Sequence, residues 1–367
     1  MENKEFLTEQ IITYIGNKRS LLNFIDNVIT IVKKELNQDK LSTFDVFSGS
    51  GIVSRYLKQH SNVLFCNDLE GYAKTINNCY LTNISDIDET ELEKWYSFLV
   101  ENLKEDKLIS NGFIRRLYSP KCDDDIQDGD RVFYTVRNAK YIDTARQLLE
   151  KVPEPYKTLF MGPLLYEAST KNNTGGVFKG FYKNSITKRG QFGGNGRHAL
   201  NRILANIEIK KPVLSKYNCD VHVLQGDSNE ICKELPTVDL AYLDPPYNQH
   251  PYSSNYFMLN LINEYKEPVN ISKVSGIPTD WNKSNYNKKI EALLSLERLC
   301  IDLKAKYILI SFNSEGFISY EEMVKMLQKL GKVRTFDQKY NVFRACRNLR
   351  ERNIHVFEYL FLLEKEV

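Results

Sequence analysis

The chain of 367 residues is long enough for about two or three domains, and its hydrophobic content of 42% is sufficient for a large core. Because the net charge is only +3, the overall charge does not identify a polyanionic partner, and the distribution of charge matters more. No stretch approaches the roughly 18 apolar residues of a membrane span, and no secretory hydrophobic region follows the polar N-terminus. The seven cysteines lack zinc or redox spacing, so we expect no metal and a reducing, cytoplasmic compartment.

A glycine-rich turn is predicted after the first strand, which begins near Phe44. Residues 18–36 before it have the spacing of an amphipathic helix, and residues 52–57 after it are also predicted to be helical. The residues of the turn are Phe47, Ser48, Gly49, Ser50 and Gly51. Glycine lets the backbone approach a ligand closely. Since Ser54 replaces the third glycine of a dinucleotide fingerprint, a smaller adenosine ligand is favoured over a pyrophosphate cofactor. The alternative is a strand-to-helix turn without a ligand.

Two further predicted strands end in acidic residues. The strand at 63–68 ends in Asp68, 17 residues after Gly51, where an acidic residue would bind ribose hydroxyls. The strand at 221–225 is followed by Asp227 and Ser228, which are candidates for contact with an adenine ring. A helix cap for the first and a plain turn for the second are the alternatives.

Residues 86–214, called the insertion below, interrupt this strand pattern. An acidic loop at 123–130 lacks the ligand spacing of a calcium site. The segment 171–211 contains nine Lys or Arg against one acid, together with seven glycines and interleaved aromatic rings, which suits a loop that follows a phosphate backbone. The alternative is a solvated basic loop. Our candidate DNA contacts in this segment are Lys179, Lys183, Lys188, Arg189 and Arg197.

The motif Asp244-Pro245-Pro246-Tyr247 directly follows a buried strand at 238–243. Ligands bind at the carboxyl ends of strands in open α/β sheets, and prolines hold the backbone extended without offering an N–H. The Asp244 carboxylate and the Pro245 carbonyl together can accept two N–H bonds from an exocyclic amine, and Tyr247 can stack on the attached ring. The motif therefore predicts a receptor for an amino group on a flat heterocycle, with an ordinary turn as the alternative.

The remaining chain is predicted to complete the sheet. A polar loop at 266–288 precedes a helix at 289–304, a strand at 306–312 and a helix at 320–330. Two strand-like runs follow, around 333–336 and 355–362. Arg344, one of four arginines between 344 and 352, is a candidate phosphate contact, and a solvated or salt-bridged face is the alternative.

These motifs resemble the D12, or alpha, class of adenine-N6 DNA methyltransferases, which includes the Dam methylases. The class places its glycine-rich motif first, a target-recognition region next and Asp-Pro-Pro-Tyr last, as in this chain. Its upstream element places an aromatic residue and a lysine, four apart, beside the methionine part of the cofactor. Tyr14 and Lys18 have this spacing, although Dam-like enzymes often have tryptophan at the first position. The stretches 173–178 and 340–344 are similar to type IIS restriction-modification methylases, such as the partner of FokI.

The resemblance implies a Rossmann-like α/β methyltransferase fold with a mostly parallel sheet and an antiparallel C-terminal hairpin. Residues 1–85 and 215–367 would form the catalytic domain, and 86–214 a largely helical target-recognition domain. It also implies S-adenosylmethionine as cofactor and duplex DNA as substrate. Its adenine would be flipped out of the stack, with Tyr247 on one side. Tyr256 or Phe257 is a candidate for the other side, and plain core packing is the alternative for both. We expect a monomer of the bacterial cytosol, without a membrane partner, that protects DNA from a cognate restriction endonuclease.

Two alternatives use the same motifs. Related pockets methylate cytosine N4, glutamine side chains or RNA adenines, but those enzymes more often carry Ser or Asn in place of Asp244. A DNA-binding protein that kept this fold without catalysis would be expected to lose its acidic residue or its glycines. Asp244, Gly49, Gly51 and Asp68 are all present, which favours an enzyme.

Overall fold

Seven β-strands of the described residues form a single sheet. The computed structural model describes residues 2–194, 196, 199–247, 249–341 and 355–366. The strands are β1 Leu41–Asp45, β2 Ser61–Asp68, β3 Asp220–Gln225, β4 Val238–Leu243, β5 Ala305–Asn313, β6 Gly331–Asn341 and β7 His355–Lys365. The helices are α1 Lys4–Thr8, α2 Leu22–Leu36, α3 Ile52–Lys58, α4 Gly71–Leu81, α5 Glu89–Asn102, α6 Phe113–Tyr118, α7 Val136–Leu149, α8 Tyr156–Thr170, α9 Leu200–Leu204, α10 Ser228–Glu234, α11 Tyr252–Asn255, α12 Phe257–Glu264, α13 Lys289–Asp302 and α14 Tyr320–Leu327.

The strand order is β3-β2-β1-β4-β5-β7-β6. The pairs from β3 to β5 are parallel, whereas β7 is antiparallel to both β5 and β6. The order reverses between β1 and β4, and ligands bind beyond the carboxyl ends of strands at such a switch point. The predicted parallel sheet and its antiparallel C-terminal hairpin are therefore confirmed.

Both faces of the sheet are covered, which explains why β4 is buried along its entire length. Because side chains alternate along a strand, Leu240 and Tyr242 point toward α2, while Ala241 and Leu243 point toward α13 and α14. This covering leaves the strand ends, rather than the sheet faces, for ligands.

The helices of the insertion pack on α4 and α12. Tyr80 of α4, Leu164 of α8 and Ile262 of α12 belong to one hydrophobic cluster. The insertion therefore shares a core with the sheet and the helices outside the insertion, which are together called the sheet unit. The buried Arg146 of α7 also donates from Nε to the carbonyl of Ile262 over 2.7 Å. The insertion is thereby held firmly beside the carboxyl ends of the strands.

Helix α8 begins at Tyr156, directly after Pro153 and Pro155. The two prolines explain this start, because proline lacks the N–H that a helix interior requires. Among the described residues, no helix is both long and apolar enough to cross a membrane.

Candidate functional site

A cavity of about 290 Å3 lies at the carboxyl ends of β1, β2, β3 and β4. It brings together most of the predicted site residues, which are far apart in the sequence. The predicted residues that line it are Tyr14, Lys18, Phe47, Ser48, Gly49, Ser50, Asp68, Asp227, Ser228, Asp244 and Pro246. Gly51, Pro245 and Tyr247 adjoin these residues in the chain.

The glycine-rich turn is closed by its own hydrogen bonds. The Gly51 N–H donates to the Ser48 carbonyl over 2.7 Å, and the Ser48 N–H donates to the Asn67 carbonyl over 2.9 Å. Gly49 and Gly51 both have positive φ, at 48° and 78°, a conformation that side chains with a Cβ rarely adopt. The turn thus carries the chain tightly from β1 into α3 beside the cavity.

Asp68 links β2 to this turn. Its Oδ2 accepts the Gly49 N–H over 2.8 Å, and its Oδ1 accepts the Glu70 N–H over 2.9 Å. Burial raises the pKa of Asp68 to about 7, although the N–H groups of Glu70 and Gly49 act in the opposite direction. Three N–H groups of the turn region, on Ser48, Gly49 and Gly51, are thus already bonded within the protein.

The β3 end of the cavity combines a helix cap with aromatic walls. The Asp227 carboxylate caps α10 by accepting the Asn229 N–H over 2.9 Å, and Ser228 is buried beside it. The rings of Phe47 and Tyr286 meet edge to face, with centroids 5.1 Å apart. This end therefore offers flat apolar surfaces next to polar groups, as a purine requires.

Tyr14 lies between two other tyrosine rings. Its ring stacks on Tyr252 at 4.9 Å and on Tyr256 at 4.7 Å, and its hydroxyl accepts from Tyr72 over 3.3 Å. A Cβ built on Gly49 would lie only 2.9 Å from the Tyr14 ring, so the ring closely covers the turn. The upstream element thereby forms one wall of the cavity.

Lys18 is 3% exposed and lies between two carboxylates. Its Nζ is 3.1 Å from Oδ1 of Asp244 and 3.1 Å from Oε1 of Glu358. Burial by itself would lower the pKa of Lys18, but the charges of Asp244 and Glu358 outweigh burial and raise that pKa above its ordinary value. The upstream element thus places a permanent cation beside the Asp-Pro-Pro-Tyr motif.

Asp244 lies at the end of β4 with a side chain that is 18% exposed. Burial raises its pKa to about 6, the Lys18 cation lowers it, and the Glu358 carboxylate raises it further. The contact with Lys18 is an ion pair, but its angle does not form a hydrogen bond, and Oδ1 of Asp244 has no hydrogen-bond partner among the described residues. This carboxylate therefore keeps its capacity to accept an N–H.

The rest of the motif is fixed by its neighbours. Pro245 is buried, the Tyr247 carbonyl accepts the Phe317 N–H over 3.1 Å, and the Tyr247 ring packs edge to face on Phe312 at 5.8 Å. The Lys18 ammonium lies 5.7 Å from the centroid of the same ring. Tyr247 is thus a half-buried, anchored ring next to the carboxylate.

The cavity has a strong excess of acceptors. Asp45, Asn67 and Asp244 belong to its lining, and the Oδ1 atom of each is buried without a hydrogen-bond partner among the described residues. Its lining contains seven acidic residues and three basic ones, Lys18, Lys233 and Arg298. A ligand that carries positive charge and several N–H or O–H donors fits this lining, and a polyphosphate does not.

The candidate DNA contacts have different environments. Lys179 is exposed with Nζ 3.4 Å from Nδ1 of His250, which follows the Asp-Pro-Pro-Tyr motif. Lys183, Lys188 and Arg189 lie on an exposed hairpin closed by the bridge between Lys183 and Gly190, and Arg189 pairs with Asp128 at 3.0 Å. Their role in DNA contact stays a prediction.

Other predicted contacts face inward or lie outside the described residues. Tyr256 is fully buried and its hydroxyl accepts the Ile15 N–H over 2.8 Å, so it supports the upstream element. Arg202, which was not among the candidates, donates to the carbonyls of residues 170, 172 and 174 and so holds the insertion loop together. Arg197 and Arg344 lie outside the described residues.

Several buried polar residues at the site were not predicted from the sequence. Glu70 binds the side chains of Ser253 and Asn260, and its Oε2 accepts from Asn260 over 2.6 Å. Asp45 accepts the Ser54 hydroxyl over 2.6 Å, and burial raises the pKa of Asp45 to about 7. An aspartate within the apolar run of β1 was an available signal for Asp45, whereas Glu70 and Glu358 had no such signal.

Comparisons with known proteins agree with this geometry. The family model of the D12 class N6 adenine-specific DNA methyltransferases matches residues 14–326. The chain is 28% identical to the type II methyltransferase M.NlaIII of Neisseria lactamica, over 96% of this chain and 99% of that protein. It is also 28% identical to M.CviAII of Paramecium bursaria Chlorella virus 1, over 96% and 98% of the two chains. With M.FokI of Planomicrobium okeanokoites it shares 26% identity over 96% of this chain but 53% of that protein. The chain therefore belongs to the D12 class of N6 adenine-specific DNA methyltransferases.

Proposed function

We propose that this enzyme transfers the methyl group of S-adenosylmethionine to N6 of an adenine that is flipped out of duplex DNA. The observation that carries the proposal is the common cavity of the glycine-rich turn, Asp68 and Asp244, in which a cofactor would lie next to a receptor for the amino group. A methyl donor follows from the family, and the lining of the cavity supports S-adenosylmethionine as that donor.

The lining favours S-adenosylmethionine over a nucleotide with phosphates. Its sulfonium and amino groups suit the acidic lining, and its adenine and ribose offer donors to the carboxylates of that lining. Phosphates would instead need free N–H groups at the turn, but those of Ser48, Gly49 and Gly51 are already bonded. Asp68 would hold the ribose, Phe47 the adenine ring, and Tyr14 and Lys18 the methionine end.

Asp244 and Pro245 would bind the two hydrogens of adenine N6. This orientation turns the nitrogen lone pair, which is otherwise delocalised into the ring, toward the methyl group. The sulfonium supplies a methyl group on a good leaving group. Tyr247 would stack on the base, and Lys18 would keep Asp244 ionised. The contribution of the protein is therefore orientation and fixed charge.

A base that is stacked in a duplex cannot reach a cavity at the ends of the strands, so the adenine would be extruded. The basic hairpin at 183–190 and Lys179 beside the motif would bind the phosphates around it. The insertion at 86–214 would accordingly be the target-recognition domain, and residues 1–85 and 215–367 the catalytic domain.

The biological role we infer is the modification half of a restriction-modification system. Its relatives include proteins named type II methyltransferases. A cognate endonuclease would be a functional partner, and the enzyme would act as a monomer in the bacterial cytosol.

Methylation of plasmid DNA with labelled S-adenosylmethionine, followed by single-molecule sequencing of modified bases, tests the proposal. We expect N6-methyladenine at one short motif, which would also give the recognition sequence. If S-adenosylhomocysteine raises the melting temperature but no N6-methyladenine forms in the DNA, the acceptor is RNA, protein or another base. If the ligand causes no such shift, the cofactor assignment is wrong.

A further inference from the structure

Glu358 of β7 is a fully buried carboxylate that lies behind the cavity without lining it. Its Oε1 is 3.1 Å from Nζ of Lys18 and also accepts the Ser311 hydroxyl. Its Oε2 has no hydrogen-bond partner among the described residues. Glu358 thus touches the one buried cation beside Asp244 within the described part of the site.

A buried charge of this kind is costly for folding. Removing a carboxylate from water costs several kcal/mol, and a buried ion pair is often replaced by apolar residues without loss of stability. Neighbouring residues of the same strand face, Leu360 and Leu362, are apolar and fully buried, so the site could accommodate an apolar side chain. A glutamate with an unsatisfied oxygen at this position calls for an explanation other than packing.

We infer that Glu358 is a positioning residue for methyl transfer, which holds the Lys18 ammonium group so that Asp244 stays free to receive the adenine amino group. The inference rests on the proposed function. Glu358 would act through Lys18 alone, because it does not reach the cavity.

The geometry explains why a second carboxylate is needed. The ammonium group has three N–H donors and lies at the same distance, 3.1 Å, from Asp244 and Glu358. Glu358 therefore competes with Asp244 for the ammonium, and the two contacts are ion pairs of the same length. Without Glu358, we expect Lys18 to stay in the cavity lining but to direct its N–H groups to Asp244, where they would occupy an acceptor that adenine N6 needs.

Glu358→Gln tests the charge while keeping the size of the side chain. We expect kcat to fall by about 10- to 100-fold, the range expected for directly coupled residues. The KM for duplex DNA and the affinity for S-adenosylhomocysteine should stay within about twofold of the wild type, since the cavity lining is unchanged. Glu364→Gln, near the far end of the same strand, is the matched control and should keep the wild-type rate.

The combination with Lys18→Gln separates positioning from a structural role. If Glu358 acts through Lys18, the double variant should have the kcat of Lys18→Gln alone, whereas independent effects would multiply and overturn the inference.

If Glu358→Gln does not fold, Ser311→Ala is the substitute, because it removes only the hydroxyl that donates to Glu358. This variant should lower kcat without weakening S-adenosylhomocysteine binding. An active wild type with an unaffected Glu358→Gln rejects this inference alone. An inactive wild type rejects the proposed function as well.

Discussion

Asp244 is the residue on which the proposed chemistry depends, because its side chain combines partial burial with an oxygen that has no hydrogen-bond partner among the described residues. Asp244→Asn keeps its shape but removes the charge and turns one acceptor into a donor. We expect kcat to fall by about 1,000-fold, the upper range for loss of one electrostatic contact to the reacting atoms. Duplex binding, measured by fluorescence anisotropy, should stay within about threefold. A variant with normal single-turnover rates would contradict the mechanism.

The ionisation of Asp244 also predicts a pH dependence. Only the ionised carboxylate of Asp244 can both pair with the Lys18 cation and accept an adenine N–H. Burial raises the pKa of Asp244 to about 6. Activity should therefore be complete above this pKa and be lost as the pH falls through about 6. Rates at saturating cofactor are the appropriate measurement, because Asp68 and Asp45, whose pKa values are about 7, also line the cavity. A flat profile down to pH 5 would show that Asp244 titrates normally.

At the scale of elements, the glycine-rich turn depends on glycine for two reasons, its backbone conformation and the space that the Tyr14 ring occupies above it. In Gly49→Ala, the Cβ would be 2.9 Å from the Tyr14 ring, at a φ of +48°. We expect the affinity for S-adenosylhomocysteine to fall at least about tenfold, or 1.4 kcal/mol, because Tyr14 must move. Isothermal titration measures this loss.

Gly129→Ala is the control for backbone strain. Gly129 also has a positive φ, +90°, but a Cβ there would meet nothing within 4 Å. This variant should lose about 1 to 2 kcal/mol of stability and bind the ligand normally. Equal ligand affinities for the two variants would mean that contact with Tyr14 is unimportant.

The basic hairpin at 183–190 predicts a salt dependence. Replacing Lys188 and Arg189 by alanine should weaken duplex binding and reduce the slope of log K against log salt by about 1 to 2, since each phosphate contact contributes about 0.9. Arg189 also pairs with Asp128, so its loss counts for less than a full contact. Lys94→Ala with Lys104→Ala, on and just after acidic helix α5, removes the same charge and should leave the slope unchanged. Equal slopes for both double variants would show that the hairpin does not contact the phosphates of DNA.

The sequence predicted those site residues that lie at the end of a strand or just after it. Asp68 is the last residue of β2, Asp227 and Asp244 follow β3 and β4, and parallel strands bring such ends together. The partners of these residues were not predictable, because they depend on long-range packing. Lys18 and Glu358 meet only because the hairpin of β6 and β7 folds back beside β5. Tyr286 likewise reaches Phe47 from a loop that reads as merely polar.

On the scale of the whole molecule, the shared core predicts that the insertion and the sheet unit unfold together. Cys79 of α4 packs so closely on α8 that a Cβ on Gly162 would lie 2.4 Å from its sulfur. Tyr80, Leu164 and Ile262 continue the same cluster across both parts. Neither part can bury this surface without the other, so we expect one cooperative transition.

The two tryptophans of the chain allow this prediction to be measured locally. Trp95 lies in α5 of the insertion, and Trp281 lies beside Asn282, which lines the cavity. Urea unfolding of Trp281→Phe follows the insertion through Trp95, and Trp95→Phe follows the cavity through Trp281. Each substitution changes the stability of the protein, and circular dichroism measures that change. After correction for it, the urea midpoints of the two variants should coincide. S-adenosylhomocysteine should shift both by the same free energy, because binding to one part of a cooperative unit stabilises the whole. A shift confined to Trp281 would instead mean that the insertion folds as an independent domain.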